Sequence, residues 1–154
     1  MPTSSSRGGS RLLKRLPDEV AVFVRRGDQL LICHRVAEDY WHIIAGALEP
    51  GESHAEAAKR ELREETGLVA DPEPLGLTQR YALAEAMRPL YSNDAREVVV
   101  ENFVVEAPAG WEPILNEEHD GYRWASLAVA ADQMYWVETR ETIAMLARMS
   151  GAVR

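Results

Sequence analysis

Apolar positions from Val20 to Val24 and from Leu30 to Arg35 form two runs of strand length, separated by Arg25-Arg26-Gly27-Asp28-Gln29. This pattern predicts a hairpin with Gly27 supplying the turn, because glycine adopts turn conformations that a side chain resists. Trp41–Ile44 predicts another short strand. From Ser53 to Thr66 the chain has no proline or glycine, and Ala55, Ala58, Leu62 and Thr66 recur at helical spacing as a weak apolar stripe. Gly67 stands where a helix commonly ends, just past the last turn. Leu75–Leu83 and the valine-rich Glu97–Ala107 have strand character, with a loop or irregular helix from Ala84 to Arg96. Gly121–Trp124 predicts a final short strand. Glu138–Met149 predicts a closing helix with Thr142, Met145, Leu146 and Met149 on one face. Trp136, Met145 and Met149 are expected in the packing core of that helix or in a subunit contact. The order β-β-β-α-β-β-β-α predicts an α/β fold, a mixed sheet with helices packed on it.

The chain has 154 residues, 46% hydrophobic and 27% charged, which fits one globular domain. Residues 1–16 stand apart: Arg7, Arg11, Lys14 and Arg15 occur there with no acid, amid serines and the Gly8-Gly9 pair. So little apolar surface cannot offset chain entropy, so this basic tail is expected to be disordered, with the domain running over 17–154. The net charge of -8 argues against a nucleic-acid polymer as partner, since phosphate-backbone affinity needs a basic surface. An anionic small molecule would need metal ions to bind. No stretch approaches a membrane span, and the N-terminus lacks the apolar core of a secretory signal, so a cytoplasmic location is expected. Cys33 is the chain's one cysteine, which excludes an intramolecular disulfide, and it reads as a small buried hydrophobe. His34, His42 and His54 show no metal-ligand spacing.

The chemistry concentrates between Gly46 and Leu68. On a helix, Glu61 and Glu65 share a face and Glu64 lies on its flank, so three carboxylates converge on one patch. A solvated, ion-paired helix face would carry the same residue types. Unpaired, such carboxylates repel one another, and a hard divalent cation among them removes the conflict. The spacing is more specific than the charge: Gly46, five residues, Glu52, seven residues, Arg60-Glu61, an aliphatic, one residue, Glu64-Glu65, one residue, Gly67 and an aliphatic.

This spacing resembles the Nudix box, and the chain is therefore similar to the Nudix hydrolases. The resemblance implies an α/β/α sandwich around a mixed β-sheet, and cleavage of a nucleoside diphosphate linked to another moiety with Mg2+ or Mn2+. It implies Glu61, Glu64 and Glu65 as metal ligands or water-activating groups, with Gly46 contributing a backbone carbonyl near the metal. Arg60 would orient the glutamates, and Glu52 would brace the loop against the helix. A further carboxylate from outside the box is expected as general base or additional ligand, and Glu118, preceding His119, is the candidate. Trp41, the Glu118-His119 pair, Tyr122-Arg123-Trp124 and the following Ala128–Ala131 resemble the branch acting on nucleoside triphosphates and dihydroneopterin triphosphate. Arg35 is a candidate phosphate contact, and an ordinary strand-end arginine would look the same. Trp41, Tyr81 and Tyr91 are candidate base-stacking groups, or core. The rival readings are a diadenosine polyphosphate or nucleotide-sugar hydrolase, and a nucleotide-binding module without turnover. Family habit suggests a homodimer.

Overall fold

A computed structural model describes residues 14–152. The strands are β1 (Asp18–Arg26), β2 (Gln29–Arg35), β3 (Tyr40–His42), β4 (Ile44–Ala47), β5 (Glu73–Ala82), β6 (Glu97–Glu106) and β7 (His119–Ser126). The helices are α1 (His54–Thr66), α2 (Leu127–Gln133) and α3 (Val137–Ala152), with a 3-10 helix over Glu85–Leu90. The seven strands make one mixed sheet whose main path runs β3-β2-β1-β6-β5. β1 and β6 are parallel, while β4 pairs antiparallel with β1 and β7 with β2.

Alternation along β1 and β2 divides the core. Val20, Val22, Val24, Leu31 and Cys33 face α1, packing with Ala57, Ala58 and Leu62. Ala21, Phe23, Leu30 and Ile32 face the other way, against Ala130 and Met134 of the α2 segment and Ile143 and Leu146 of α3. The result is the helix-sheet-helix sandwich expected from the sequence.

Several boundaries differ from that reading. Trp41–Ile44 is not one strand: the chain changes partner at Ile43, with β3 paired to β2 and β4 paired to β1. The change places Gly46 opposite Val20 in the middle of the sheet. Ala55 is exposed, and the buried stripe of α1 runs instead through Ala57, Ala58, Glu61, Leu62, Glu65 and Thr66. In α3, Ile143 and Leu146 carry the packing, whereas Met145 and Met149 are exposed and lie outside the core. Trp136 precedes α3 and is partly exposed. Of the segment expected to be disordered, residues 1–13 lie outside the described residues. Arg15 is held in the fold: its N–H donates to the Leu90 carbonyl and its own carbonyl accepts from Ser92, each at 2.9 Å.

Candidate active site

α1 starts on a capping box. The Ser53 hydroxyl accepts from the Glu56 N–H at 3.1 Å, and the Glu56 carboxylate accepts from the Ser53 N–H at 2.9 Å. At the other end Gly67 takes φ 81° and donates its N–H to the Arg63 carbonyl, a conformation that glycine adopts without strain. With both ends fixed, the face that buries Leu62 also buries Glu61 and Glu65, which are 6% and 2% exposed. Glu64 projects from the flank.

β4 meets this face at Gly46. A Cβ there would overlap the Glu61 carboxylate, so only glycine lets that carboxylate lie against the strand. Arg60 joins strand, loop and helix. Its Nε and Nη2 donate to the two oxygens of Glu52 at 2.7 and 2.8 Å, and Nη2 also donates to the Ala47 carbonyl at 3.1 Å. Nη1 donates to Glu61 at 3.1 Å and to Glu64 at 3.3 Å. Glu52 in turn accepts the Glu49 N–H at 2.9 Å. The hydrogen bonds to Glu52 raise the guanidinium pKa further above its ordinary value. Burial works against the ionised form of Glu52, but Arg60 holds its carboxyl below the usual range.

Glu61 and Glu65 show the opposite behaviour. Burial pushes the Glu61 carboxyl up. Burial, and then the neighbouring Glu61 carboxylate, push Glu65 well above the usual range. Glu65 Oε1 has no hydrogen-bond partner, and its nearest cationic candidate is His119 Nε2 at 3.9 Å. His119 is buried, and burial, followed by Arg35, lowers its pKa, which weakens it as a charge partner for Glu65.

Glu118 lies just before β7. Its N–H donates to Asn116 Oδ1 at 3.1 Å, and Arg35 Nη1 stands 3.5 Å from its Oε1. Its charge is felt at Glu65, which brings the residue from outside the box to the same cluster. Arg35 is 6% exposed and donates from Nε to Glu38 at 2.8 Å, so it sits beneath the site as an anchor for two carboxylates.

The three candidate stacking rings do not join this cluster. Trp41 meets His34 edge to face at 5.3 Å and lies under the Arg123 guanidinium at 5.5 Å. Tyr91 is buried in a small cluster with Leu83 and Val98. Tyr81 lines a cavity on the opposite face of the sheet, together with Glu19, His42, Asn102 and Trp136. Sequence reasoning gave no role to Glu19, His42 or Asn102. For Glu19 the available signal was its place in the Glu19, Ala21, Phe23 alternation, which turns a carboxylate inward.

Among the described residues no three acidic, histidine or cysteine side chains form a ready-made cation cage, because Arg60 stands between Glu61 and Glu64. The donor set nonetheless suits a hard divalent cation: a buried carboxylate oxygen without a partner, a second desolvated carboxylate, and a bare backbone at Gly46.

A family model described as the NUDIX domain matches residues 15–146. A Myxococcus xanthus protein named octanoyltransferase is 36% identical over 129 residues, covering 80% of this chain and 34% of that protein. The chain thus spans about a third of that relative's length. An RNA pyrophosphohydrolase of Photorhabdus laumondii is 29% identical over 138 residues, covering 82% of this chain and 73% of the relative. Among solved structures, the dihydroneopterin triphosphate pyrophosphohydrolase of E. coli matches with a TM-score of 0.74 at 21% identity, covering 86% of this chain and 95% of that one. That likeness is one of fold.

Proposed function

Because the chain belongs to the NUDIX domain family, we propose that it is a Mg2+-dependent pyrophosphohydrolase, acting on a nucleoside or pterin triphosphate to give the monophosphate and pyrophosphate. The observation that carries this reading is the buried Glu61–Glu65 pair, with Glu65 Oε1 left without a hydrogen-bond partner, set against the bare backbone of Gly46. Buried charge without a partner is costly, and in a folded protein it marks a site built for something else to bind.

Glu61, Glu64, Glu65 and the Gly46 carbonyl would hold the cation, with Glu118 at the edge of the set. When bound, the cation neutralises phosphate oxygens and makes water a better nucleophile at neutral pH; Mn2+ would serve the same chemistry. The protein's own part is positional. Arg60 fixes the rotamers of Glu61 and Glu64 through one guanidinium that Glu52 and Ala47 already anchor. Glu118, whose Oε1 lies 3.5 Å from Arg35 Nη1, would take the proton of the attacking water as general base. Water adds to a phosphorus beside the bridging oxygen, the bridging P–O bond breaks, and pyrophosphate leaves with that electron pair. The proton passes through Glu118 to solvent.

The net charge of -8 disfavours a long polyanion as substrate. The test is a panel of dNTPs, NTPs, dihydroneopterin triphosphate, diadenosine polyphosphates, ADP-ribose and a 5′-triphosphate RNA, incubated with Mg2+ and resolved by chromatography. A monophosphate plus pyrophosphate from one triphosphate is the expected result. Cleavage confined to diadenosine polyphosphates or ADP-ribose would move the assignment to those classes. Binding without turnover in Mg2+ or Mn2+ would make the chain a nucleotide-binding module.

A further inference from the structure

β7 enters the sheet out of step with β2. Gly121 stands opposite His34, but Arg35 stands opposite His119, so the ladder passes over Asp120. A bulge of this kind bends a strand and re-aims the side chains beside it. In regular alternation Asp120 would stand opposite Arg35 and share its face of the sheet. The bulge gives that place to His119, which is buried with its Nε2 3.9 Å from Glu65 Oε1, and it leaves Asp120 exposed.

Asp120 is not idle there. His34 Nδ1 lies 2.8 Å from Asp120 Oδ1, and His34 Nε2 lies 2.8 Å from Asp39 Oδ1. A neutral imidazole has one N–H and one lone pair, whereas an ionised carboxylate only accepts. Both bonds therefore form together only when the ring carries both protons. The hydrogen bond to Asp120, and then that to Asp39, push the His34 imidazole above its ordinary pKa. Trp41 meets the ring edge to face at 5.3 Å, and the Arg123 guanidinium lies across that indole at 5.5 Å. The groups facing His34 are thus two carboxylates, an aromatic edge and, beyond it, one guanidinium.

This bridge reaches the carboxylate cluster by two short paths. Asp39 lies in the turn between β2 and β3, takes φ 56° and donates its N–H to the Arg35 carbonyl at 3.0 Å. In the same turn Glu38 accepts from Arg35 Nε at 2.8 Å, while Arg35 Nη1 stands 3.5 Å from Glu118 Oε1. Val36 donates its N–H to the Glu118 carbonyl at 3.1 Å. His34 therefore joins the turn that carries Glu38 to the bulge that follows Glu118. Arg35, the next residue of β2, joins the same two segments from the opposite face.

We propose that His34 is a positioning residue: as an imidazolium bridging Asp39 and Asp120, it locks the β7 bulge in the register that sets Glu118 and His119 beside Glu65. His34 touches neither substrate nor cation. When the ring gives up a proton, one of its two bonds is lost, the bulge loosens, and Glu118 loses its fixed place. The effect on turnover rests on the pyrophosphohydrolase reading, but the lock itself is a property of the chain without metal or substrate.

The first arm of the experiment is NMR of the full natural chain in EDTA from about pH 5 to about pH 9, reading the histidine ring nitrogens and the backbone amides. The His34 ring should carry both protons at neutrality and titrate above the ordinary 6.5, with the amide signals of Val36, Glu118 and His119 moving at the same midpoint. A ring that is neutral at pH 7, or amides that stay still while it titrates, would overturn the proposal. The second arm is pyrophosphate release from each of the four dNTPs at saturating Mg2+, with circular dichroism checking that the variants fold. His34→Gln, which cannot bridge two carboxylates as a cation, should lower kcat by about 10-fold with little change in KM, the lower end of what losing an outer positioning group costs. That loss should disappear in the Glu118→Gln background, because residues that act through one another are not additive. Losses that add, or an unchanged kcat in His34→Gln, would show that His34 does not act through Glu118 and would overturn the proposal. If no dNTP is turned over, the pyrophosphohydrolase reading is what suffers, and the NMR arm alone decides the lock.

Discussion

At Gly46 the absence of a side chain is the functional feature. A Cβ would overlap the Glu61 carboxylate, and the atoms displaced would be those proposed to hold the cation. Gly46→Ala should therefore lower kcat by about 10- to 100-fold, the range seen when groups that position metal ligands are disturbed. Circular dichroism should still show the native fold, since the displaced carboxylate can swing towards solvent. A variant with undiminished turnover would detach Gly46 from the site. Glu118 makes a separate case, because Arg35 and Asn116 hold it independently of the helix. Glu118→Gln should slow turnover by about 10²-fold, the scale of losing a general base, with little change in the Mg2+ concentration needed for half-maximal rate. A loss of metal affinity with unchanged kcat would make Glu118 a ligand only. The spacing from Gly46 to Gly67 made these residues legible in the sequence. It could not reveal that Glu65 is unpartnered or that Arg35 is buried beneath Glu118, because both facts depend on β2 and β7 lying side by side.

Among the elements, α1 depends on its first turn. Ser53→Ala removes the hydroxyl that accepts from Glu56 and should cost about 1 kcal/mol in chemical denaturation, a typical loss for an N-cap. An unchanged midpoint would show that tertiary packing alone sets the start of the helix. The phase of α1 was only partly legible. The apolar stripe counted Ala55 and left Glu61 and Glu65 out of the buried face, because an apolar pattern treats carboxylates as solvent-facing; here they are buried and Ala55 is exposed. The β3–β4 break was hidden for another reason: an apolar run shows that residues are buried but not that the strand changes partner at Ile43. Glu112 ties the end of β1 to β7. It accepts from Trp124 at 2.9 Å, from Arg26 at 2.8 Å and from Tyr122 at 3.0 Å, which together lower its pKa to about 2. A carboxyl with a depressed folded pKa adds stability that is fully present above its unfolded pKa of 4.5 and is lost as pH falls towards about 2. The melting temperature of Glu112→Gln should thus lie below that of the natural chain at pH 6, and the gap should close on acidification. A gap independent of pH would mean that these contacts stabilise by packing rather than through the charge.

The whole molecule carries a net charge of -8 and keeps its least compensated carboxylates in the interior. Composition alone led to the expectation of a bound cation, because an acidic protein repels a polyphosphate. The proposed ligands lie far apart in sequence, from Gly46 to Glu118, and folding brings them together. A cation that binds the native state and not the unfolded chain raises stability by mass action, about 2.7 kcal/mol at a hundredfold excess over its dissociation constant. For a chain of this size, with about 2–4 °C per kcal/mol, Mg2+ at that excess should raise the melting temperature by about 5–11 °C, and EDTA should reverse the rise. Glu65→Gln should abolish the shift. In EDTA the same variant should melt no lower than the natural chain, since the substitution removes a buried carboxyl whose ionised form has no partner. Surface binding predicts a different outcome: a shift that Glu65→Gln leaves intact and that rising NaCl screens away would place the cation on the acidic exterior, and the buried carboxylates would then need another explanation.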